Sequence, residues 1–271
     1  MSIGQPTLVF DIETITDLKA GRHLYRLDLT DEDTEAALNK IRRQETGSDF
    51  PQLPLHEVVC ISGLWIENGE IKLFSWTQEQ YSEQEILQRF VNIFQEKSPI
   101  LVSWNGAQFD LPVIMQRCLY HGLSAAQLYD HGEWNRQKRF DNYQNRYQLR
   151  HTDLMDILAN FNLRNIQKLD DLAELLGFPG KRLPSGYHVQ NYVKEQQWTK
   201  LSTHCEGDVL NTWLIYLRWL LLRGFVQQEQ HKEWVQTTIQ YLQQHSQHQA
   251  YLSLWRESSQ NNPFAQHDFK R

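Results

Sequence analysis

The chain is poor in the residues that staple small secreted folds. Its three cysteines, Cys60, Cys118 and Cys205, stand far apart in 271 residues and form no Cys-x-x-Cys pair. That spacing argues against a disulfide framework or structural zinc and for a reducing compartment. No apolar run approaches the roughly 20 residues that a membrane-spanning helix needs. No basic stretch followed by an apolar segment opens the chain, so no signal peptide is read. The expected setting is the cytoplasm, with no membrane partner. Positive charge is also scarce, with 27 Lys and Arg against 33 Asp and Glu, a net charge of −6. A nucleic-acid partner would have to be held by a local patch and by metal, because there is no overall basic field. Apolar residues, by contrast, make up 40% of the chain and charged ones 22%, which allows a sizeable core and excludes wholesale disorder. The length suits one α/β domain with additions.

Leu8, Val9 and Phe10 form a short apolar run with a β-branched centre, the pattern of a buried strand. Residues 16–50 are polar and charged and carry a helix from Thr30, its N-cap, to about Arg43. Glu57–Ile66 and Glu70–Trp76 read as strands joined by the hairpin turn Asn68-Gly69. Ser82, with Glu85 three residues on, opens a helix over 82–97. Pro99–Trp104 is an apolar strand, followed by a helix over Pro112–His121 that Gly122 ends. Short helices are expected over Asp153–Phe161 and Leu169–Leu176, and a long one over Ser202–Arg223. The second half of the long helix is apolar almost all round, which requires packing on both sides. Beyond Gly224 the composition shifts to Gln and His, with one more amphipathic helix and a frayed end. The domain reading is therefore 1–224, with an insertion at about 17–54, followed by a helical tail over 225–271.

Asp11 and Glu13 interrupt the first strand at spacing two, which projects both carboxylates from one face. Adjacent carboxylates at the end of a hydrophobic strand are costly unless a cation lies between them, and hard divalent ions take oxygen ligands of this kind. The bland alternative has Ile12 facing the core and both acids facing water. Asp110 follows the Pro99–Trp104 strand, in the loop position where α/β sheets place their chemistry. His204 and Asp208, four apart on the long helix, share one face. An acid pair on a strand, an acid on a loop and an acid beside a His on a helix make a candidate two-metal carboxylate site.

These residues carry a family resemblance. Phe10-Asp11-Ile12-Glu13-Thr14, Trp104-Asn105-Gly106-Ala107-Gln108-Phe109-Asp110-Leu111-Pro112 and Cys205-Glu206-Gly207-Asp208-Val209-Leu210-Asn211-Thr212 resemble, in order, the three motifs of the 3′–5′ exonucleases with four acidic ligands. The branch most resembled is the stand-alone bacterial proteins related to the exonuclease domain of family B DNA polymerases. Asp141–Tyr147, His151–Asp156 and Gly177–Lys181 also resemble that branch, and the resemblance spans about residues 7–224. It implies a ribonuclease H-like α/β fold, with a mixed five-stranded sheet (three antiparallel strands, then parallel ones) flanked by helices. It also implies two Mg2+ or Mn2+ ions, with Asp11, Glu13 and Asp208 on one, Asp11 reaching the second, and Asp110 holding the second through water. The implied reaction is hydrolysis at the 3′ end of single-stranded nucleic acid, DNA before RNA, releasing nucleoside 5′-monophosphates. An exoribonuclease on short RNA and a nucleic-acid-binding protein with a decayed site are the alternatives. No polymerase segment is read, so a proofreading role would need a separate replication or repair protein as partner.

His204 departs from the pattern. Members of this branch carry Tyr four residues before the last Asp, whereas the other branch carries His five before it, where this chain has Thr203. An imidazole titrates near about 6.5 and a phenol near about 10, so the favoured expectation is that His204 orients or deprotonates the attacking water, the alternative being that its shorter reach leaves the water badly placed and activity low. For substrate grip, Trp104, Asn105, Phe109, Tyr143 and Tyr147 are candidates to contact bases, and Arg146, Arg150 and Lys181 to hold phosphates. Asp153, Asp156 and Glu206 suit helix starts better than a ligand role, and His245 and His248 read as a solvated face.

Overall fold

A computed structural model of the chain describes residues 5–180 and 189–262. Its centre is a five-stranded sheet in the order β3-β2-β1-β4-β5, made of β1 (Thr7–Thr16), β2 (His56–Glu67), β3 (Glu70–Thr77), β4 (Ile100–Ser103) and β5 (His151–Asp153). β1, β2 and β3 pair antiparallel, while β1, β4 and β5 run parallel, as the ribonuclease H-like expectation requires. The β2–β3 turn places Asn68 at φ 53° and Gly69 at φ 84°, two consecutive left-handed residues that match the twist of a tight hairpin.

In chain order the helices are α1 (Leu18–Tyr25), α2 (Asp31–Thr46), α3 (Glu83–Glu96), α4 (Asp110–His121), α5 (Ala126–Tyr129), α6 (Leu154–Leu158), α7 (Leu169–Leu175), α8 (Val189–Lys194), α9 (Trp198–Leu222), α10 (Gln228–Gln244) and α11 (Gln249–Asn261). Thr30 caps α2, and Ser82 and Glu85 close the reciprocal capping box of α3, both at the expected residues. Gly122 ends α4 at φ 66°. None of the described helices is long and apolar enough to cross a membrane.

Three boundaries differ from the sequence reading. Asp17 caps an additional helix, α1, inside the insertion. α9 begins at Trp198, a turn before Ser202, whose hydroxyl donates inside the helix to the Thr199 carbonyl at 3.2 Å. Asp153 does cap a helix, α6, but α6 ends at Leu158, short of Phe161, and His151–Asp153 form the fifth strand before it.

Strand alternation decides which way the acids point. Leu8, Phe10 and Ile12 join a core formed with α3 and α4, while Val9 joins the opposite core with α9, α10 and α11. Asp11 and Glu13 are in phase with Val9, so they face α9. Ile12 does face a core, but the other side of β1 is covered by a helix and not by water. α9 is sandwiched in turn. Its Trp213 donates to Thr238 of α10 at 2.9 Å, and Tyr251 of α11 donates to its Asn211 at 2.9 Å. The segment after residue 224 thus packs Leu242, Leu252 and Trp255 into the same core as Val9 and Val102. Tyr241 of α10 also reaches back to β3, where its hydroxyl accepts the Leu73 N–H at 3.0 Å. The tail holds two helices where one was expected, and its described end is not frayed: α11 runs to Asn261, with Ser258 and Ser259 buried and the Ser259 hydroxyl donating to the Gly177 carbonyl at 3.2 Å.

Candidate active site

The parallel register sets the site. Val9, Val102 and Thr152 lie side by side, and β4 and β5 stop one residue further on, at Ser103 and Asp153. β1 runs on alone on that side. Asp11 and Glu13 therefore project past the ends of the two neighbouring strands, with a register shift between Glu13 and Thr14. The space there is filled by the loop 104–109, which turns at once into α4 with Asp110 as its first helical residue.

That loop is held by a residue the sequence reading left out of the site. Asp153 accepts the backbone N–H of Asn105 at 3.0 Å and of Ala107 at 2.9 Å, besides capping α6 through Met155 at 3.1 Å. Asn105 takes a left-handed φ of 67° to make the turn. Gly106 lies so close to Ser103 that a Cβ would come within 2.4 Å of its hydroxyl oxygen. Ser103 is fixed by His151 Nε2 at 2.8 Å. Asp153 is thus a positioning residue for the loop, and its non-ligand assignment agrees with these bonds.

α9 brings the remaining groups. His204 Nε2 lies 3.3 Å from Glu13 Oε1 and 3.8 Å from Asp208 Oδ2. One donor atom each from Glu13, His204 and Asp208 fits within 4.8 Å, and the same holds for Asp11, Glu13 and Cys205. Cys205, which opens the third motif but was not among the candidate site residues, sits with Sγ 3.5 Å from the Asp11 carbonyl and 3.6 Å from Asp11 Oδ2. Its place beside His204 in the third motif was the available signal.

The electrostatics are those of a crowded acid cluster. Burial pushes Asp11 well above the ordinary carboxylate range, and Asp110, Asp208 and Glu13 push it further. Glu13 rises for the same first reason, then from Asp208, Cys60 and Asp110. Asp110 is pushed up to about 8 by burial and then by Asp153, and Asp208 to about 8 by burial and then by Asp170. Glu13, Asp110 and His204 are buried, whereas Asp208 keeps 22% of its side-chain surface, so the cluster opens on the Asp208 side. Asp110 Oδ1 is buried without a hydrogen-bond partner. Four acids that cannot all ionise together, one with an orphaned oxygen, form a donor set suited to divalent cations.

The expected nucleic-acid residues divide. Asn105 and Phe109 belong to the loop, and Phe109 packs edge-on against His56 (5.0 Å) and near Phe50 (5.7 Å). Trp104 is half-buried against the α9 core. Tyr147 is 72% exposed, and Arg146 beside it forms a bidentate pair with Asp156 while lining a cavity of about 170 Å³ next to α4. Arg150 is tied to Asp141 and to the Ser98 carbonyl. Tyr143 is a correction. It is 1% exposed, its ring packs on Phe94, and its hydroxyl donates to the Pro99 carbonyl at 2.8 Å, so no base can reach it. Lys181 lies outside the described residues. Glu206 and His248 are corrections too: Glu206 lies two turns inside α9 and not at a helix start, and His248 is not on a solvated face. Glu206 accepts from Ser75 at 2.7 Å and faces His248 Nδ1 at 3.4 Å, and His248 is 5% exposed.

Comparison with known proteins gives one family. A family model described as "Predicted 3′-5′ exonuclease related to the exonuclease domain of PolB" matches residues 48–259, a stretch that contains Asp110, His204 and Asp208 and starts after β1. Among solved structures, the chain is similar to the family B DNA polymerase from the hyperthermophilic archaeon Pyrobaculum calidifontis. That similarity is 18% in sequence identity with a TM-score of 0.48, over 80% of this chain and 24% of the polymerase. The chain thus spans about a quarter of the polymerase. No curated protein matches.

Proposed function

The chain belongs to the family of predicted 3′–5′ exonucleases related to the exonuclease domain of PolB, and we propose that it hydrolyses the terminal phosphodiester bond at the 3′ end of single-stranded nucleic acid. DNA is the favoured substrate and nucleoside 5′-monophosphates are the products. The observation that carries this reading is the convergence of Asp11, Glu13, Asp110 and Asp208 beyond the ends of β4 and β5, where burial raises all four carboxyls, Asp110 and Asp208 further raise Asp11 and Glu13, and Asp153 and Asp170 further raise Asp110 and Asp208.

Asp11 and Glu13 from β1, Asp110 from α4 and Asp208 from α9 would hold two Mg2+ or Mn2+ ions. Bound cations supply the Lewis acidity that activates water and the charge that stabilises a leaving oxygen. The protein's own part is to hold four oxygen donors at fixed positions and to keep one side open. Asp153 fixes the loop that carries Asn105 and Phe109 at the mouth, where a 3′-terminal nucleotide would be seated. Tyr147 offers an exposed ring for a base further along the strand.

The test is a 5′-labelled single-stranded oligonucleotide, as DNA and as RNA, incubated with Mg2+ or Mn2+. A ladder shrinking from the 3′ end, absent in Asp11→Ala, is the expected result, and the faster sugar identifies the substrate. Retained oligonucleotide binding with no ladder under either metal would overturn the reading in favour of a binding protein.

A further inference from the structure

His204 stands where the sequence comparison leads one to expect a group that orients water, yet its ring nitrogen is turned to the carboxylates. Nε2 points between Glu13 Oε1 at 3.3 Å and Asp208 Oδ2 at 3.8 Å. Those are the separations of two ligands sharing an ion. Bonds of about 2.0–2.1 Å at tetrahedral angles put neighbouring donor atoms about 3.3 Å apart, whereas octahedral angles at the same bond length put them about 2.9 Å apart. The 3.3 Å edge matches the first figure, and the 3.8 Å edge lies nearer to it than to the second. The three donor atoms also fit within 4.8 Å of one another.

We propose that His204 is a direct metal ligand, completing with Glu13 and Asp208 a nitrogen–oxygen–oxygen trio that makes this centre select Zn2+ or Co2+ over Mg2+. The inference rests on the exonuclease reading for its biological use and concerns the metal choice of that same site. Three observations support it. His204 and Glu13 are both buried, so the imidazole and the carboxylate already share a dry environment. Asp208 is open enough to admit an ion, with 22% of its side chain exposed. Asp110, 3% exposed and near enough to raise Asp11 and Glu13, has an oxygen without a hydrogen-bond partner in the same cluster.

The chemistry follows from donor type. Carboxylates alone suit Mg2+ and Mn2+, whereas imidazole suits zinc and the later divalent ions, whose affinities for mixed nitrogen and oxygen sites are intrinsically higher. A phenol at this position would add no such preference. Cys205 does not compete for the role. Its Sγ lies 3.6 Å from Asp11 Oδ2 and groups with Asp11 and Glu13, not with Asp208, and burial pushes the thiol well above its ordinary range, which keeps it protonated. A nitrogen committed to a metal bond cannot also take a proton from water, so His204 sets the metal and does not act as the base.

The experiment needs no nucleic acid. Metal-free native protein, His204→Tyr and His204→Gln are titrated with Co2+, Zn2+, Mn2+ and Mg2+ by calorimetry. Co2+ is also followed by its visible absorption and Mn2+ by pulsed EPR for a directly bound nitrogen. The native protein is expected to show nitrogen coupling to Mn2+ and the strong absorption of a low-symmetry Co2+ site. Both signals should vanish in the two variants, with Zn2+ affinity falling more than tenfold and Mg2+ affinity changing by less than threefold. Absence of nitrogen coupling in the native protein overturns the proposal, whether or not the variants fold, and so does Zn2+ affinity in His204→Tyr within twofold of native. The 3′-ladder assay run beside it separates the two readings. A ladder without bound nitrogen refutes only the ligand role, and bound nitrogen without a ladder under any metal refutes only the exonuclease.

Discussion

Removing one carboxyl from the cluster should make the metal-free protein less sensitive to alkaline pH. Asp110 is 3% exposed and its carboxyl is pushed up to about 8, as is that of Asp208. An unfolded Asp ionises near about 3.9. An acid whose folded pKa is raised contributes stability below its unfolded pKa and loses it as pH rises through the folded one. Three buried histidines, His151, His231 and His248, are lowered to about 4 by burial and act in the opposite sense. Their stabilisation grows as pH rises from about 4 to about 6.5 and is almost complete at pH 7. The clean window is therefore pH 7 to 8.5. Across it Asp110 and Asp208 each withdraw about 1 kcal/mol, the raised Asp11 and Glu13 add to the loss, and the histidines return less than about 1 kcal/mol together, for a net loss of at least about 2 kcal/mol. At about 2.1 cal/mol/K per residue over 271 residues, that is a fall in Tm of about 4 °C. Asp110→Asn should cut the loss by about 1 kcal/mol or more, and saturating Mn2+ should flatten the native slope, since bound cations keep the acids ionised. Differential scanning calorimetry in EDTA and in Mn2+ reads all of this. A metal-free native Tm that is flat or rising from pH 7 to 8.5 would refute the reasoning, as would an unchanged slope in Asp110→Asn.

Three other substitutions probe separate parts of the molecule. Arg117 is buried between Asp17 (2.9 Å) and Glu83 (2.6 Å), so Arg117→Met strands two carboxylates and should cost about 3–5 kcal/mol in urea unfolding; a loss below about 1 kcal/mol would mean that water or His121 compensates. Trp255 is 0% exposed although it lies late in the chain, and Trp255→Ala should cost about 3–5 kcal/mol. A near-neutral result there would mean that α11 is not part of the cooperative core. Tyr147→Ala should weaken binding of a short single strand by about 1–3 kcal/mol while leaving Tm unchanged. Unaltered affinity would remove the stacking role from this ring.

Where local chemistry determines structure, the sequence was a sufficient guide. Thr30, Ser82 with Glu85, Asn68-Gly69 and Gly122 each perform the cap or turn that their type implies. The acid pair on β1 was legible because spacing two on a strand fixes a shared face, and the order of the three motifs pointed to the family that residues 48–259 match. The misreadings arise where a residue's partner is distant in sequence. Three residues, His-Thr-Asp, make a strand because β4 supplies a neighbour and Ser103 and the 104–109 loop take their polar atoms. Tyr143, in a polar and basic stretch, looked like a base-stacking ring until the Pro99 carbonyl claimed its hydroxyl. His248 looked solvated, but Glu206 and the ring of Tyr241 enclose it. The distance from His204 to Glu13 depends on how α9 crosses β1, which no spacing encodes.

The hydrogen bond from Leu73 to Tyr241 has a consequence in time. β3 is the outer strand of the sheet, and the group that covers its Leu73 N–H is made 168 residues later. At a synthesis rate of about 5–20 residues per second, a ribosome leaves that strand uncapped for roughly 8 to 34 seconds. Throughout this interval the nascent hairpin presents an open pairing edge to neighbouring chains. α10 therefore arrives late in this protection, and a ribosome that stalls before residue 241 would release a chain with the Leu73 N–H still bare.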